Sequence, residues 1–200
     1  METTFLIEQY RYNDKLVPEP GDIVLDVGAH VGEASLWFSS MIASEGIAYA
    51  FEPEPAVFRM LRNNLKVNNI QNVIHMNMAV RDPDKLMRLS ENWGASVLTD
   101  SKNGAVVRVT TIGIFVAQQH STKVSFMKMH VEGYELNVLI GASETIQKFK
   151  PNLAICAYHK GDDLIALPQF IRSSDPKYKL YLRHCTPTWA ETVLYANLLH

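Results

Sequence analysis

The sequence is poor in several features that would each have pointed to a function. It holds two cysteines in 200 residues, Cys156 and Cys185. They match neither a metal-ligand spacing nor a disulfide framework. Cys156 sits in the apolar run "NLAICAY" and reads as a buried thiol rather than a nucleophile. There is no Lys/Arg-rich run, and the formal net charge is -2, which removes the usual electrostatic footprint for nucleic acid. No apolar stretch is long enough to cross a bilayer, and the N-terminus lacks the basic-then-apolar pattern of a secretory signal. The expectation is therefore no membrane insertion and a reducing, cytoplasmic location. Internal repeats, low-complexity tracts and linkers are also missing. With ordinary apolar (47%) and charged (20%) fractions, the chain reads as one globular domain over residues 1–200 rather than a disordered one.

What is present is an alternation of apolar runs and helical patterns. A lead-in of about 20 residues ends at Pro18 and Pro20 and could pack over a site. Strand "DIVLDVG", a helix from Glu33 to Ser44, strand "IAYAFEP", a helix from Glu54 to Asn69 and strand "NVIHMNMAV" follow. The apolar side of the second helix comprises Val57, Met60, Leu61, Leu65 and Val67. Residues 82–110 read as an excursion of short strands with turns at Asn92–Gly94 and Asn103–Gly104. After a helix over 111–119 come strand "KVSFMKMH", a helix from Glu135 to Lys148, strand "NLAICAYH" and a helix near 163–173. Strands "YKLYLRH" and "ETVLYANL" close the chain as an antiparallel edge hairpin. This order predicts an α/β, Rossmann-like, doubly wound and mostly parallel seven-stranded sheet with an antiparallel edge strand.

Such sheets bind ligands outside the carboxyl ends of their strands. "LDVGAHVGE" puts Asp26 at the end of the first strand, with Gly28, Ala29 and Gly32 in the turn to the helix. A dinucleotide fingerprint would read G-x-G-x-x-G. Here the middle glycine is replaced by His30, which is expected to act through its backbone. An acid beside the turn disfavours a pyrophosphate and suits a ligand with an ammonium group. The second strand ends in Glu52 and Pro53, and a carboxylate there can accept both hydroxyls of a ribose. Met78 and Ala79, at the end of the third strand, could border an adenine. Ribose hydroxyls plus a cationic amino-acid tail describe S-adenosylmethionine better than a nicotinamide dinucleotide.

"VLDVGAHVGEASLWFS", "YAFEPEPAVFRMLRNNLKVNN" and "VSFMKMHVEGYELNVLIGA" together resemble the FkbM-type S-adenosylmethionine-dependent methyltransferases, from about Gly21 to Ala157. The resemblance implies methyl transfer to oxygen on hydroxyls of sugars, glycolipids or glycosylated natural products, alongside or fused to glycosyltransferases. It aligns Asp26, Gly28 and Gly32 with the turn around the methionine part of the cofactor and Glu52 with the acid that holds the ribose. Lys128, Glu132, Gly133 and Glu135 align with the signature K-x-D-V-E-G-x-E. His130 is the departure, standing where that signature has aspartate.

An alcohol is a weak nucleophile while protonated, so methyl transfer needs a nearby base, and histidine suits neutral pH. His130 and His159 end neighbouring strands, and the sequence leaves both open as the base, with Lys128 and Glu132 as orienting groups. A divalent metal held by His130, Glu132, His159 and Asp162 is the less favoured alternative. Tyr10 in the lead-in and Trp93 in the excursion could offer aromatic faces to a small-molecule or glycan acceptor. Trp37 and Trp189 read as packing residues. The competing functions are a non-catalytic cofactor- or glycan-binding module and a nicotinamide-dependent oxidoreductase.

Overall fold

The computed structural model describes residues 2–14, 16–82, 86–89, 98–99, 105–188 and 190–198. After a short helix α1 (Glu2–Phe5), the first half runs β1 (Ile23–Val27), α2 (Glu33–Ile42), β2 (Ile47–Phe51), α3 (Pro55–Val67) and β3 (Val73–Met76). Strands β4 (Ala79–Val80), β5 (Leu86–Leu89), β6 (Leu98–Thr99) and β7 (Ala105–Thr110) form the excursion, which α4 (Ile112–Gln118) ends. The second half is β8 (Phe126–Met129), α5 (Glu135–Gly141), α6 (Ser143–Phe149), β9 (Asn152–Cys156), α7 (Asp163–Ser174), β10 (Lys179–His184) and β11 (Thr192–Asn197).

Seven strands form one sheet in the order β10-β11-β9-β8-β1-β2-β3. The chain steps outward from β1 to β3, then returns to lay β8 on the other side of β1. The reversal falls between β1 and β8, where a doubly wound sheet opens a crevice at its strand ends. β11 pairs antiparallel with both β10 and β9, and the remaining pairs are parallel. The expected doubly wound sheet with its antiparallel edge is present.

The central strands β1, β2, β8 and β9 are buried on both faces, as covered parallel strands are, and their side chains alternate between two cores. Leu25, Val27, Met127, Met129, Leu153 and Ile155 meet residues of α4 to α7 on one face. Val24, Phe126, Ala154 and Cys156 meet Trp37, Phe38 and Ile42 of α2, together with Tyr10 and Leu16 of the lead-in, on the other. The lead-in is pinned there by the Arg183 guanidinium, which donates to the carbonyls of Ile7 (2.8 Å) and Arg11 (3.3 Å). The Tyr195 hydroxyl donates to the Gln9 carbonyl as well.

Three sequence expectations change. Strand "NVIHMNMAV" is two strands, because Asn77 turns the chain by donating its amide to the carbonyls of Glu52 (2.9 Å) and Pro53 (3.1 Å). β4 then joins β7, β5 and β6 in a separate four-stranded sheet. The helix expected over Glu135–Lys148 is interrupted at Ala142 (φ -104°, ψ 0°). Met60 and Val67 are not core: they are 45% and 64% exposed, while Val57, Leu61 and Leu65, spaced by four, carry the buried stripe of α3. The turns at Asn92–Gly94 and Asn103–Gly104 lie outside the described residues.

Candidate active site

A cavity of about 400 Å³ opens at the carboxyl ends of the central strands, within the usual size range of small-ligand sites. One end is made largely by backbone. Gly28 (φ +80°) takes a left-handed turn after β1, and a Cβ there would lie 1.8 Å from the carbonyl oxygen of His130. Only glycine lets the β1 turn pass so close to the end of β8. The Gly28 and Ala29 amides both donate to the Phe51 carbonyl, at 3.1 and 2.8 Å, which locks the turn onto β2. Gly32 (φ +94°) does not line the cavity. Instead it seats α2 beside α3, where an added Cβ would meet Leu61 Cδ1 at 2.5 Å.

Glu52 ends β2 and faces the cavity. Its carboxylate accepts the His30 amide (2.9 Å) on one oxygen and the Glu54 amide (2.8 Å) on the other. His30 thus contributes through its backbone, as the sequence suggested. Burial pushes the Glu52 carboxyl up to about 7 against these two hydrogen bonds. Pro53, Met78 and Ala79 complete this wall.

Asp26 departs from the expected role. It is fully buried and lines no part of the cavity. Its oxygens accept Ser35 Oγ (2.6 Å) and Lys128 Nζ (2.9 Å). The cation that Asp26 meets is Lys128, because β1 and β8 pair in parallel with these two residues in register. Lys128 also donates to the Gly28 carbonyl (2.7 Å) and lies 5.3 Å from the Tyr10 ring centroid. Lys128 therefore ties strand, turn and lead-in together while its side chain borders the cavity.

The other end is made by side chains. His130 follows β8 and His159 follows β9, and their rings lie 5.2 Å apart. Glu132, in a left-handed conformation (φ +53°), sits between them: one oxygen is 3.5 Å from His130 Nε2 and the other 3.7 Å from His159 Nε2. Tyr158 places its hydroxyl 2.9 Å from His130 Nε2 and donates to Glu191 at 3.4 Å. Burial, reinforced by the charges of Lys128, His159 and His30, holds His130 well below the ordinary histidine range. For His159 burial also lowers the pKa, but the carboxylates of Glu135, Glu132 and Asp163 outweigh it and raise the group. His159 Nδ1 is 2.9 Å from Glu135 Oε1 without hydrogen-bond alignment. His130 and Glu132 line the cavity and His159 stands behind them.

Tyr10 lines the cavity and is buried. Trp93 and Trp189 lie outside the described residues, and Trp37 is a packing residue. Asp162 is exposed at the start of α7, and its neighbour Asp163 takes the inward place, accepting the amides of His159 and Lys160. Sequence reasoning gave no role to Tyr158, Tyr134 or Glu191, which all border or back the site. Tyr158 could have been found from its place beside His159 at a strand end. Glu191 arrives on the edge hairpin and carried no local signal.

With this geometry in hand, comparison with known proteins is specific. The family model described as the methyltransferase FkbM domain matches residues 26–186. A crystal structure of methyltransferase FkbM from Methylobacillus flagellatus KT is similar over 97% of this chain, at 25% identity and a TM-score of 0.75. This chain spans about half of that protein (47%). A SAM dependent methyltransferase from Aquifex aeolicus is similar over 99% of this chain and 90% of its own, at 13% identity and a TM-score of 0.53. A fibrillarin from Aeropyrum pernix, solved with S-adenosyl-L-methionine bound, shares the fold over 89% of this chain and 67% of its own, at 13% identity and a TM-score of 0.57. No curated protein matches the chain. Among the described residues, no helix is long and apolar enough to cross a membrane.

Proposed function

Because this chain belongs to the FkbM methyltransferase family, we propose that it transfers the methyl group of S-adenosylmethionine to a hydroxyl of a sugar, glycan or glycoside. The carrying observation is a single cavity that joins a Gly28–Glu52 end to a His130–Glu132 end. The residues present fit the cofactor. Glu52 offers a carboxylate to ribose hydroxyls, the Gly28–Ala29 turn brings bare backbone close, and Met78 and Ala79 give an apolar wall. When bound, S-adenosylmethionine supplies an electrophilic methyl group with sulfur as the leaving group.

The chain's own part is to orient the acceptor and take its proton. His130 is the favoured base, because its imidazole stands on the cavity wall where an acceptor hydroxyl can reach it. Tyr158 bridges it to Glu191 and fixes the ring. Lys128 works by positioning, since its ammonium group is committed to Asp26 and Gly28. Glu132 and Tyr134 border the acceptor's side of the cavity, where a placed carboxylate and an aromatic face suit a sugar. Glycosyltransferases are then the enzyme class that makes the acceptor.

The test is incubation with methyl-labelled S-adenosylmethionine and a panel of glycans and glycosides. Label in a sugar hydroxyl is the expected result. Saturable cofactor binding with every hydroxyl acceptor unlabelled would reject the acceptor class.

A further inference from the structure

We propose that His130, Glu132 and His159 form a binding site for one divalent transition-metal ion of the zinc type at the acceptor end of the cavity. Ligand atoms of these three residues lie within 4.8 Å of one another. Two imidazoles with one carboxylate form a donor set that suits zinc and related ions and is unsuited to magnesium, which prefers oxygen. With zinc bonds of about 2.0–2.1 Å, tetrahedral ligand atoms stand about 3.3 Å apart. The separations here are 3.5 Å (His130 Nε2 to Glu132 Oε1) and 3.7 Å (His159 Nε2 to Glu132 Oε2), and with all three ligand atoms inside 4.8 Å, closing on one ion draws the side chains inward.

A second observation points the same way. The His159 side chain is only 9% exposed, yet among the described residues its Nε2 has no hydrogen-bond partner. A buried ring nitrogen without a partner is costly, and this one is aimed at Glu132. Behind the ring, Glu135 Oε1 lies 2.9 Å from Nδ1 and is itself held by the Val131 amide at 2.9 Å. Glu135 thus stands where a carboxylate orients a metal-binding histidine, and a small turn of the ring would align the contact as a hydrogen bond.

His130 Nε2 shares its position with the Tyr158 hydroxyl. On metal binding Tyr158 keeps its hydrogen bond to Glu191. The remaining coordination positions face the cavity, since His130 and Glu132 both line it. Coordination uses a ring lone pair that proton transfer would need, so bound ion and free base are alternative states of His130. The proposal itself concerns ion binding and stands whether or not the acceptor is a sugar.

The experiment uses the whole chain, stripped of metal with a chelator. It is titrated with Zn2+ by calorimetry and with Co2+ by visible absorption, with Mg2+ as the contrast. The expected result is one Zn2+ per chain with a Kd tighter than ~10 µM, intense d–d bands of low-coordinate cobalt, and no response to Mg2+. His159→Ala and Glu132→Gln should each weaken Zn2+ binding at least ~10-fold. His184→Ala, on the edge strand β10, should leave binding unchanged. Glu132 is half-exposed on a turn, so its variant keeps the test valid if His159→Ala fails to fold. Absence of stoichiometric Zn2+ binding, or binding that neither variant weakens, overturns the site. Cofactor binding by the same stripped protein is measured separately, so a failed metal site and a failed methyltransferase reading remain distinguishable.

Discussion

The two ends of the cavity are built by different means. At the Gly28–Glu52 end, position is set by backbone: the Gly28 turn, the amides of His30 and Glu54 on Glu52, and strand register that brings Lys128 to Asp26. At the His130–Glu132 end, position is set by titratable side chains from separate segments: His130 and Glu132 after β8, Tyr158 and His159 after β9, Glu135 on α5 and Glu191 before β11. A backbone-built end tolerates little change and imposes one ligand shape. A side-chain-built end can be rewritten by single substitutions.

The sharpest way to break the contrast is to remove the cation inside the backbone-built end. Lys128→Met leaves Asp26 buried with Ser35 alone, and a stranded buried charge costs about 3–5 kcal/mol. Chemical denaturation should show that loss, and a change below about 1 kcal/mol would mean the pair is not holding the turn. Gly28→Ala follows at about 3 kcal/mol, combining a left-handed φ with a Cβ driven into the His130 carbonyl. If Gly28→Ala folds with wild-type stability, the close approach of β1 and β8 is not as described.

Glu52→Gln replaces one acceptor oxygen by a donor that the amide of His30 or of Glu54 cannot use. It should weaken S-adenosylmethionine about 10–100-fold by calorimetry while leaving metal binding intact. A smaller effect comes from pH. The Glu52 carboxyl titrates near 7 in the free protein, and ribose hydroxyls favour its ionised form. Cofactor affinity should therefore rise as pH goes from 6 to 8, and Glu52→Gln should flatten that rise. Stability of the cofactor-free protein has the opposite sign. A raised folded-state pKa contributes stability that is complete below the unfolded value near 4.5 and is lost as pH climbs through about 7. The slope stays below about 1.4 kcal/mol per pH unit. Affinity that falls with pH would reject the ribose role.

The same division explains what the sequence disclosed. The Gly28 turn, Glu52 and the strand order are local patterns, so the sheet and the placing of Gly28 and Glu52 at its strand ends are legible. Asp26 was misjudged because its partner lies 102 residues away, and only parallel register brings Lys128 beside it. His130 and His159 were picked out as a neighbouring pair from their strand ends. Their different surroundings are hidden, because these depend on Tyr158, Glu135 and Glu191, each placed by tertiary packing. Met60 falls on the apolar side of α3 but outside the narrower Val57–Leu61–Leu65 row that packs. Asp162 and Asp163 are adjacent, and only the turn into α7 decides which points inward.

One measurement bears most directly on a cavity whose two ends have separate duties. For His130→Ala, cofactor affinity by calorimetry is compared with the rate of label transfer to the acceptor found in the glycan panel. The expected result is affinity within about twofold of wild type and transfer slower by about 100-fold or more. Transfer at the wild-type rate would contradict His130 as the base, and loss of cofactor affinity would contradict the separation of the two ends.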